Sequence, residues 1–326
     1  MRVLSGMRPT GRLHIGHLFG ALHNWLKLQK EHESYFFVAD WHALTTDYAN
    51  TANIKENSLQ MVMDWLAAGI DPQKSVLFIQ SHVPEHAELH VLLSMITPLS
   101  WLERVPTYKE QQEALSNRDL STYGFLGYPL LQSADILIYK TNFVPVGGDQ
   151  LPHIEFTREV TRRFNFMYRE VFPVPEPQLT QAPKLPGTDG RKMSKSYDNC
   201  IYLSDSPETI SAKVRTMFTD PARLRRHDPG HPDICPAFSW HKLFTAQAVY
   251  EDIHTRCMSA GIGCTDCKKI LIDNMIKALA PIYEKRIAWE NKRQEVEDIL
   301  RQGSISAKCI AQATLGEVRD AMGLIV

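Results

Sequence analysis

Short apolar runs alternate with helix-like stretches through the first two-thirds of this 326-residue chain, and no other feature restricts the fold as much. Val3–Gly6 (VLSG), Tyr35–Asp40 (YFFVAD) and Ser75–Gln80 (SVLFIQ) have the length and the β-branched and aromatic content of strands buried on both faces. Between them, Gly16–Glu31 and Thr51–Gly69 carry apolar residues at helical spacing. Asn142–Gln150 (NFVPVGGDQ) reads as a further strand with helical stretches on either side. Repeated strand–helix units with right-handed crossovers build a parallel sheet. The expected class is therefore α/β, with a Rossmann-like sheet whose ligand sits at the carboxyl ends of the strands.

Composition shifts at Val171–Asn199, where Pro173, Pro175, Pro177, Pro183 and Pro186 argue against regular structure over most of the segment. Gly187 and Gly190 then precede a cationic cluster, as in a mobile loop. Beyond it, Pro207–Met217 and Asp273–Arg301 read as helices. The expected organisation is a Rossmann-like catalytic domain over 1–203 and a helical domain over 204–326, its last helix able to fold back on the first. A net charge of −1 supplies no overall field to draw in nucleic acid, so any such contact needs a local basic patch. No apolar run is long enough to span a bilayer. The opening MRVLSGMRPTG lacks the apolar core of a signal peptide, so the chain reads as cytoplasmic, with neither membrane nor DNA as partner.

Two stretches carry chemistry. In PTGRLHIGHLFGAL a turn with Pro9 and Gly11 leads into a helix near Gly16, and His14 and His17 stand three apart on its first turn. Unpaired N–H groups there suit phosphate, Gly16 leaves room for a flat base, and the imidazoles can donate to phosphoryl oxygens. Two surface histidines near a helix cap is the plainer alternative. In KMSKS, Lys192 and Lys195 form a flexible cationic clamp or, alone, a solvated basic turn. Both stretches fall at the same end of the sheet. Together they suit adenylation by ATP, sharing the charge of the α-phosphate and the departing pyrophosphate.

HIGH at His14–His17 followed by KMSKS at Lys192–Ser196 resembles a class I aminoacyl-tRNA synthetase. SGMRPTGRLHIGHLFGAL, ADWHALT, SADILIY, VPVGGDQLPHIEFTRE and GRKMSKSYDN, spread from Ser5 to Asn199, resemble the bacterial tryptophanyl branch in particular. Many members have glutamine where Arg8 stands here, and a shorter form of HIGH. The resemblance implies a tryptophan–tRNA ligase that uses ATP and Mg2+, takes L-tryptophan and tRNA(Trp), works as a homodimer and binds the anticodon with its helical domain. It implies catalytic roles for His14, His17, Lys192 and Lys195. It places ATP against Arg8, Pro9, Thr10, Gly16, His17, Gly147, Gly148, Asp149, Leu185, Lys192, Met193, Ser194, Lys195 and Ser196, with Asp149 on the ribose. Tryptophan falls to Asp135, Gln132, His42 and Gln150. The indole N–H is a donor only, and Asp135, a charge in an apolar helical run, is the acceptor the family uses. Asp135 as a helix cap, His42 as a core histidine and Asp149 in a solvated glycine turn stay open from the residues alone.

Four of the six cysteines fall in one segment: Cys235, Cys257, Cys264 and Cys267, spaced C-x21-C-x6-C-x2-C with Gly261 and Gly263 to bend the chain. Four thiolates suit zinc or an iron–sulfur cluster, and a redox disulfide is the other reading. A subset of the resembling family carries a [4Fe-4S] cluster on nearly this spacing, which favours iron over Zn2+. Cys200 and Cys309 lie apart, as half-buried thiols. Lys268, Lys269, Lys285, Arg286, Lys292 and Arg293 are phosphate contacts or, with Glu284, Glu290 and Glu295 between them, a solvated helix face. Two other classes remain: a small-molecule adenylyltransferase, which would lack KMSKS, and a synthetase-like protein that binds RNA or senses redox state without charging tRNA.

Overall fold

The computed structural model describes residues 1–106, 120–179 and 185–325; Pro183 lies outside them. β1 (Arg2–Met7) leads through α1 (Ile15–His17), a π-turn (Leu18–Leu22) and α2 (His23–Glu31) to β2 (Glu33–Val38). α3 (Asp40–Asp47) and α4 (Ile54–Ala68) precede β3 (Ser75–Ile79); α5 (Glu85–Ser94), α6 (Leu99–Glu103) and α7 (Tyr123–Ile138) follow it. Then come β4 (Phe143–Val146), α8 (Leu151–Met167) and β5 (Glu176–Leu179). The remainder is helical: α9 (Pro207–Thr216), α10 (Pro236–Phe244), α11 (Gln247–Met258), α12 (Cys264–Glu290) and α13 (Arg293–Ala321).

The five strands pair in the order β3-β2-β1-β4-β5, all parallel. Chain order reverses between β1 and β4, and a crevice opens at the carboxyl ends of the strands there. β2 is apolar along nearly its whole length because helices cover both faces of the sheet.

Four expectations about elements need correction. Pro177 lies inside a strand, β5, opposite Val144. β5 is an edge strand, where a residue without an N–H is tolerated. Asp40 opens α3 instead of closing β2. The helix expected over Gly16–Glu31 is broken by the π-turn, which widens the turn carrying Gly20. The single helix expected over Asp273–Arg301 is two long ones, parted at Asn291 and Lys292.

The helical region does not build a separate core. One apolar cluster joins Leu18, Trp25 and Trp65 to Leu271, Met275, Leu279 and Leu300. A second joins Leu4, Phe78 and Ile138 to Ala307, Ala311, Leu315 and Val318 of α13. α13 lies along β3, the other sheet edge. Gly303 comes so close that a Cβ there would stand 1.9 Å from the Leu77 carbonyl oxygen. The Ser304 hydroxyl accepts the N–H of Ile79 at 3.3 Å. In a free helix Gly→Ala would stabilise by about 1 kcal/mol. Here the contact is with backbone, which cannot rotate away. Gly303→Ala is therefore expected to destabilise the protein by about 3 kcal/mol or more, read as a lower urea midpoint. A neutral or stabilising result would mean that α13 does not pack this closely.

Candidate functional site: a cleft at the switch point of the sheet

A cleft of about 390 Å³ opens where β1 and β4 part, lined by Leu4, Ser5 and Gly6 on one side and Val144, Pro145 and Val146 on the other. Gly6 is required here because a Cβ would lie 2.3 Å from the Phe37 ring. Of the expected site residues, Arg8, His42, Gln132, Asp135, Gly147 and Gln150 line this cleft. The π-turn adds Gly20 and Ala21, and Asn24 and Trp25 follow from α2.

Asp135 is buried on the cleft's floor and does not cap a helix. His42 Nε2 meets its Oδ2 at 2.8 Å and His86 Nδ1 its Oδ1 at 2.6 Å. Gln80 Nε2 donates to both oxygens, at 2.8 and 2.9 Å. Burial alone would raise this carboxyl. The hydrogen bonds from His42 and His86 outweigh it and hold the group down to about 2. The floor of the cleft is thus a fixed carboxylate in an apolar wall. On its far side, His86 Nε2 lies 2.7 Å from the Tyr139 hydroxyl. Gln80 and His86 were invisible as site residues in the sequence, because nothing in a short window marks a donor to an acceptor 49 or 55 residues away.

HIGH and KMSKS meet each other through Lys195 and Thr10, and neither His14–His17 nor Lys192–Ser196 lines this cleft. His14 is the N-cap of α1: its Nδ1 accepts the Gly16 N–H at 3.1 Å, while His17 Nδ1 accepts the His14 N–H at 3.3 Å. A backbone N–H can only donate, so both Nδ1 atoms are bare and the neutral rings carry their hydrogens on Nε2. Burial lowers His14 to about 4, with Lys195 adding to the effect. Burial, then His14 and Lys195, lower His17 to about 3. Both rings are therefore neutral donors at working pH. They lie 3.9 Å apart, centre to centre.

The KMSKS turn closes against them. Lys195 Nζ donates to the Thr10 carbonyl at 2.8 Å and to its hydroxyl at 3.1 Å. Burial lowers the ammonium to about 8. Met193 is buried and approaches Gly16. Asn199 pins the turn: its Oδ1 accepts the Ser194 N–H at 2.8 Å, and its Nδ2 donates to Asp189 at 2.7 Å. Gly187 has no room for a Cβ beside this side chain. Leu185 packs against the core, and Ser194 and Ser196 exchange a hydroxyl hydrogen bond at 2.8 Å. The two lysines are not equivalent. Lys192 is exposed, and among the described residues its ammonium makes no ion pair. Asp149 accepts from Gln150 Nε2 at 2.9 Å. Arg8 bonds the Thr46 hydroxyl, which turns it toward α3.

Three of the four cysteines meet on one small apolar cluster of Phe238, Ile253 and Ile262. Cys235, Cys257 and Cys267 pack against it, and Cys264 opens the helix that carries Cys267. Burial pushes the Cys267 thiol up to about 12, and Cys235, Cys257 and Cys264 each add to the rise. Its sulfur lies 3.3 Å from His241 Nε2. Among the described residues, no three histidine, cysteine or carboxylate side chains form a group that could hold a metal ion. The left-handed bend falls at Ala260 (φ 60°), where Gly261 and Gly263 had been expected to supply it. Cys200 is fully buried and Cys309 exposed, so neither is half-buried. Of the expected phosphate contacts, Arg286 is fully buried and Lys268 caps the carbonyls of Arg215 and Met217. Lys292 and Arg293 pair with Glu295 and Glu56; Lys269 and Lys285 are exposed.

A five-stranded parallel sheet with HIGH following its first strand and the KMSKS lysine packed against Thr10 has the form of a class I aminoacyl-tRNA synthetase. The family profile described as tRNA synthetases class I (W and Y) matches residues 1–280, and the chain belongs to that family. It is 55% identical to the tryptophan–tRNA ligase of Thermotoga maritima, over all of both chains. It is 47% identical to that of Aquifex aeolicus, covering 99% of this chain and 100% of the relative. Among solved structures it resembles tryptophanyl-tRNA synthetase from Campylobacter jejuni complexed with ADP and tryptophan. The TM-score is 0.89 at 34% identity, over 99% of this chain and 100% of that one. No described helix is long and apolar enough to cross a membrane.

Proposed function

We propose that this chain joins L-tryptophan to tRNA(Trp) at the expense of ATP. The observation that carries the reading is Asp135: a buried carboxylate, held ionised, at the floor of a cleft whose lining includes Gly20 and Ala21 of the turn that follows HIGH. The tryptophan carboxylate, already ionised, attacks the α-phosphate of Mg-ATP in line, and pyrophosphate leaves. No protein nucleophile is needed, so catalysis is positioning and charge stabilisation. His14 and His17 offer Nε2–H donors, Lys195 its charge, and Lys192 swings in from the exposed side of the loop. Gly16, Gly20, Gly147 and Gly148 let the nucleotide approach the backbone, Arg8, Pro9 and Thr10 border its phosphates, and Asp149 accepts from the ribose. Asp135 takes the indole N–H, flanked by His42, Gln132 and Gln150. The terminal ribose hydroxyl of the tRNA then attacks the adenylate, and AMP leaves.

The domain division at 203/204 is functional in this reading, with the second part holding the anticodon. The exposed apolar side chains Val91, Met95, Leu99 and Tyr123 on α5, α6 and α7 support a homodimer. Cys235, Cys257, Cys264 and Cys267 hold a [4Fe-4S] cluster as a staple beside the anticodon site. Cys235, Cys257 and Cys267 on one apolar cluster, with Cys264 one turn before Cys267 on the same helix, support a four-thiol site, and the resemblance favours iron over Zn2+ there.

Tryptophan-dependent exchange of pyrophosphate into ATP tests the activity, and tyrosine in its place should give no exchange. Protein purified without oxygen should be brown with about four irons per chain. One zinc and no colour would replace iron at the same four residues.

A further inference from the structure

Arg286, near the end of α12, and Asp64, in the middle of α4, are both fully buried. Arg286 Nε donates to Asp64 Oδ1 at 2.6 Å; Gln60 and Glu290 take up the rest of the guanidinium. The other carboxylate oxygen, Oδ2, accepts the main-chain N–H of Leu13 at 2.6 Å. Leu13 directly precedes His14. On its other side the same stretch is held by the segment leaving the KMSKS turn: the Leu203 N–H donates to the Leu13 carbonyl at 2.9 Å, and the Ile15 N–H to the Ile201 carbonyl at 3.0 Å. The HIGH segment is thus held from both flanks by backbone hydrogen bonds, and Asp64 supplies one of them.

Stability alone does not account for the pair. Burying two charges costs several kcal/mol per ion, and such pairs can often be replaced by apolar side chains without loss. Burial pushes the Asp64 carboxyl above its ordinary range against the pull of Arg286. α4 and α12 already meet in one apolar cluster through Leu59, Val62, Met275 and Leu279. What an apolar residue cannot supply is an acceptor aimed at the Leu13 N–H, which sits on a residue with no exposed surface.

We propose that Asp64 and Arg286 are positioning residues for amino-acid activation: the carboxylate fixes the Leu13 peptide, and with it the His14 and His17 rings, while Arg286 fixes the carboxylate. The proposal rests on the reading that those rings act on the phosphates of ATP. It also gives the helical region a grip on the active site. Arg286 and the thiols Cys264 and Cys267 ride on one helix, so the ion pair adds a polar link between α12 and the HIGH segment to the apolar cluster they share.

The test compares full-length wild type with Arg286→Met, with the double variant Asp64→Leu/Arg286→Met and with Arg286→Lys. Thermal unfolding and tryptophan-dependent pyrophosphate exchange are read side by side. Arg286→Met strands a buried carboxylate and should melt well below wild type. The double variant should regain most of that loss, because nothing charged is left buried. Its kcat should nevertheless stay at least about tenfold down, with the tryptophan KM within about twofold, because leucine cannot accept from Leu13. Recovery of kcat along with stability would reduce the pair to a structural bridge and overturn the proposal. Should the double variant not fold, Arg286→Lys decides. It keeps the charge and loses the fork, and an unchanged kcat in folded protein would also overturn the proposal. His14→Ala is the control: if it exchanges pyrophosphate at the wild-type rate, the reading of the rings fails independently of the ion pair.

Discussion

Replacing Lys195 by alanine is expected to slow tryptophan activation by a factor on the order of 100 or more, as when one preorganised transition-state donor is lost. The geometry locates the effect. Lys195 is the KMSKS lysine that crosses to the HIGH side, bonding Thr10 at 2.8 Å and lowering both histidines by its charge. Tryptophan affinity should hardly move, because the proposed indole acceptor Asp135 lines a cleft whose lining does not include Lys195. Pyrophosphate exchange measures the first quantity and calorimetric titration with tryptophan the second. A rate within about twofold of wild type would show that the clamp is misassigned. Because burial holds this ammonium down to about 8, its charge is lost as pH rises through that value, and kcat/KM for ATP should fall above it. His14 and His17, at about 4 and 3, add no inflection near the ordinary histidine value. Lys195→Arg should move the fall to about pH 10 or beyond, since a guanidinium stays charged.

Asp135→Asn should weaken tryptophan binding by about 1–3 kcal/mol, roughly 5- to 150-fold, while sparing ATP. The isosteric change does more than soften an acceptor. His42, Gln80 and His86 all donate to this carboxylate, so the new amide N–H₂ must face a donor wherever it turns. One buried donor is left without an acceptor even before the indole arrives. Separate titrations with tryptophan and ATP check the asymmetry, and equal losses for both would make Asp135 a packing element.

What the sequence determined by itself is what short-range physics writes into it. Strand-length apolar runs at Val3, Tyr35, Ser75 and Phe143 reappear as β1 to β4, because burial on both faces leaves a continuous apolar signal. HIGH and KMSKS announce themselves because each is a compact local pattern: glycines around a capping histidine in one, glycines ahead of two lysines in the other. β5 escaped notice because proline is read as a breaker, and only a place at the sheet edge makes Pro177 tolerable. The cysteine spacing pointed to one four-thiol group, but it is the packing of the helices that sets their separation and leaves three of them on one apolar cluster. The basic residues of α12 looked alike along the chain; the fold left Lys285 in solvent and drove Arg286 into the core. Tertiary structure alone decided that Asp64 would meet an arginine 222 residues away, and that Gln80 and His86 would serve Asp135. A buried polar group must find a partner, but which partner depends on elements that meet only once the sheet has closed, and no local pattern encodes that meeting.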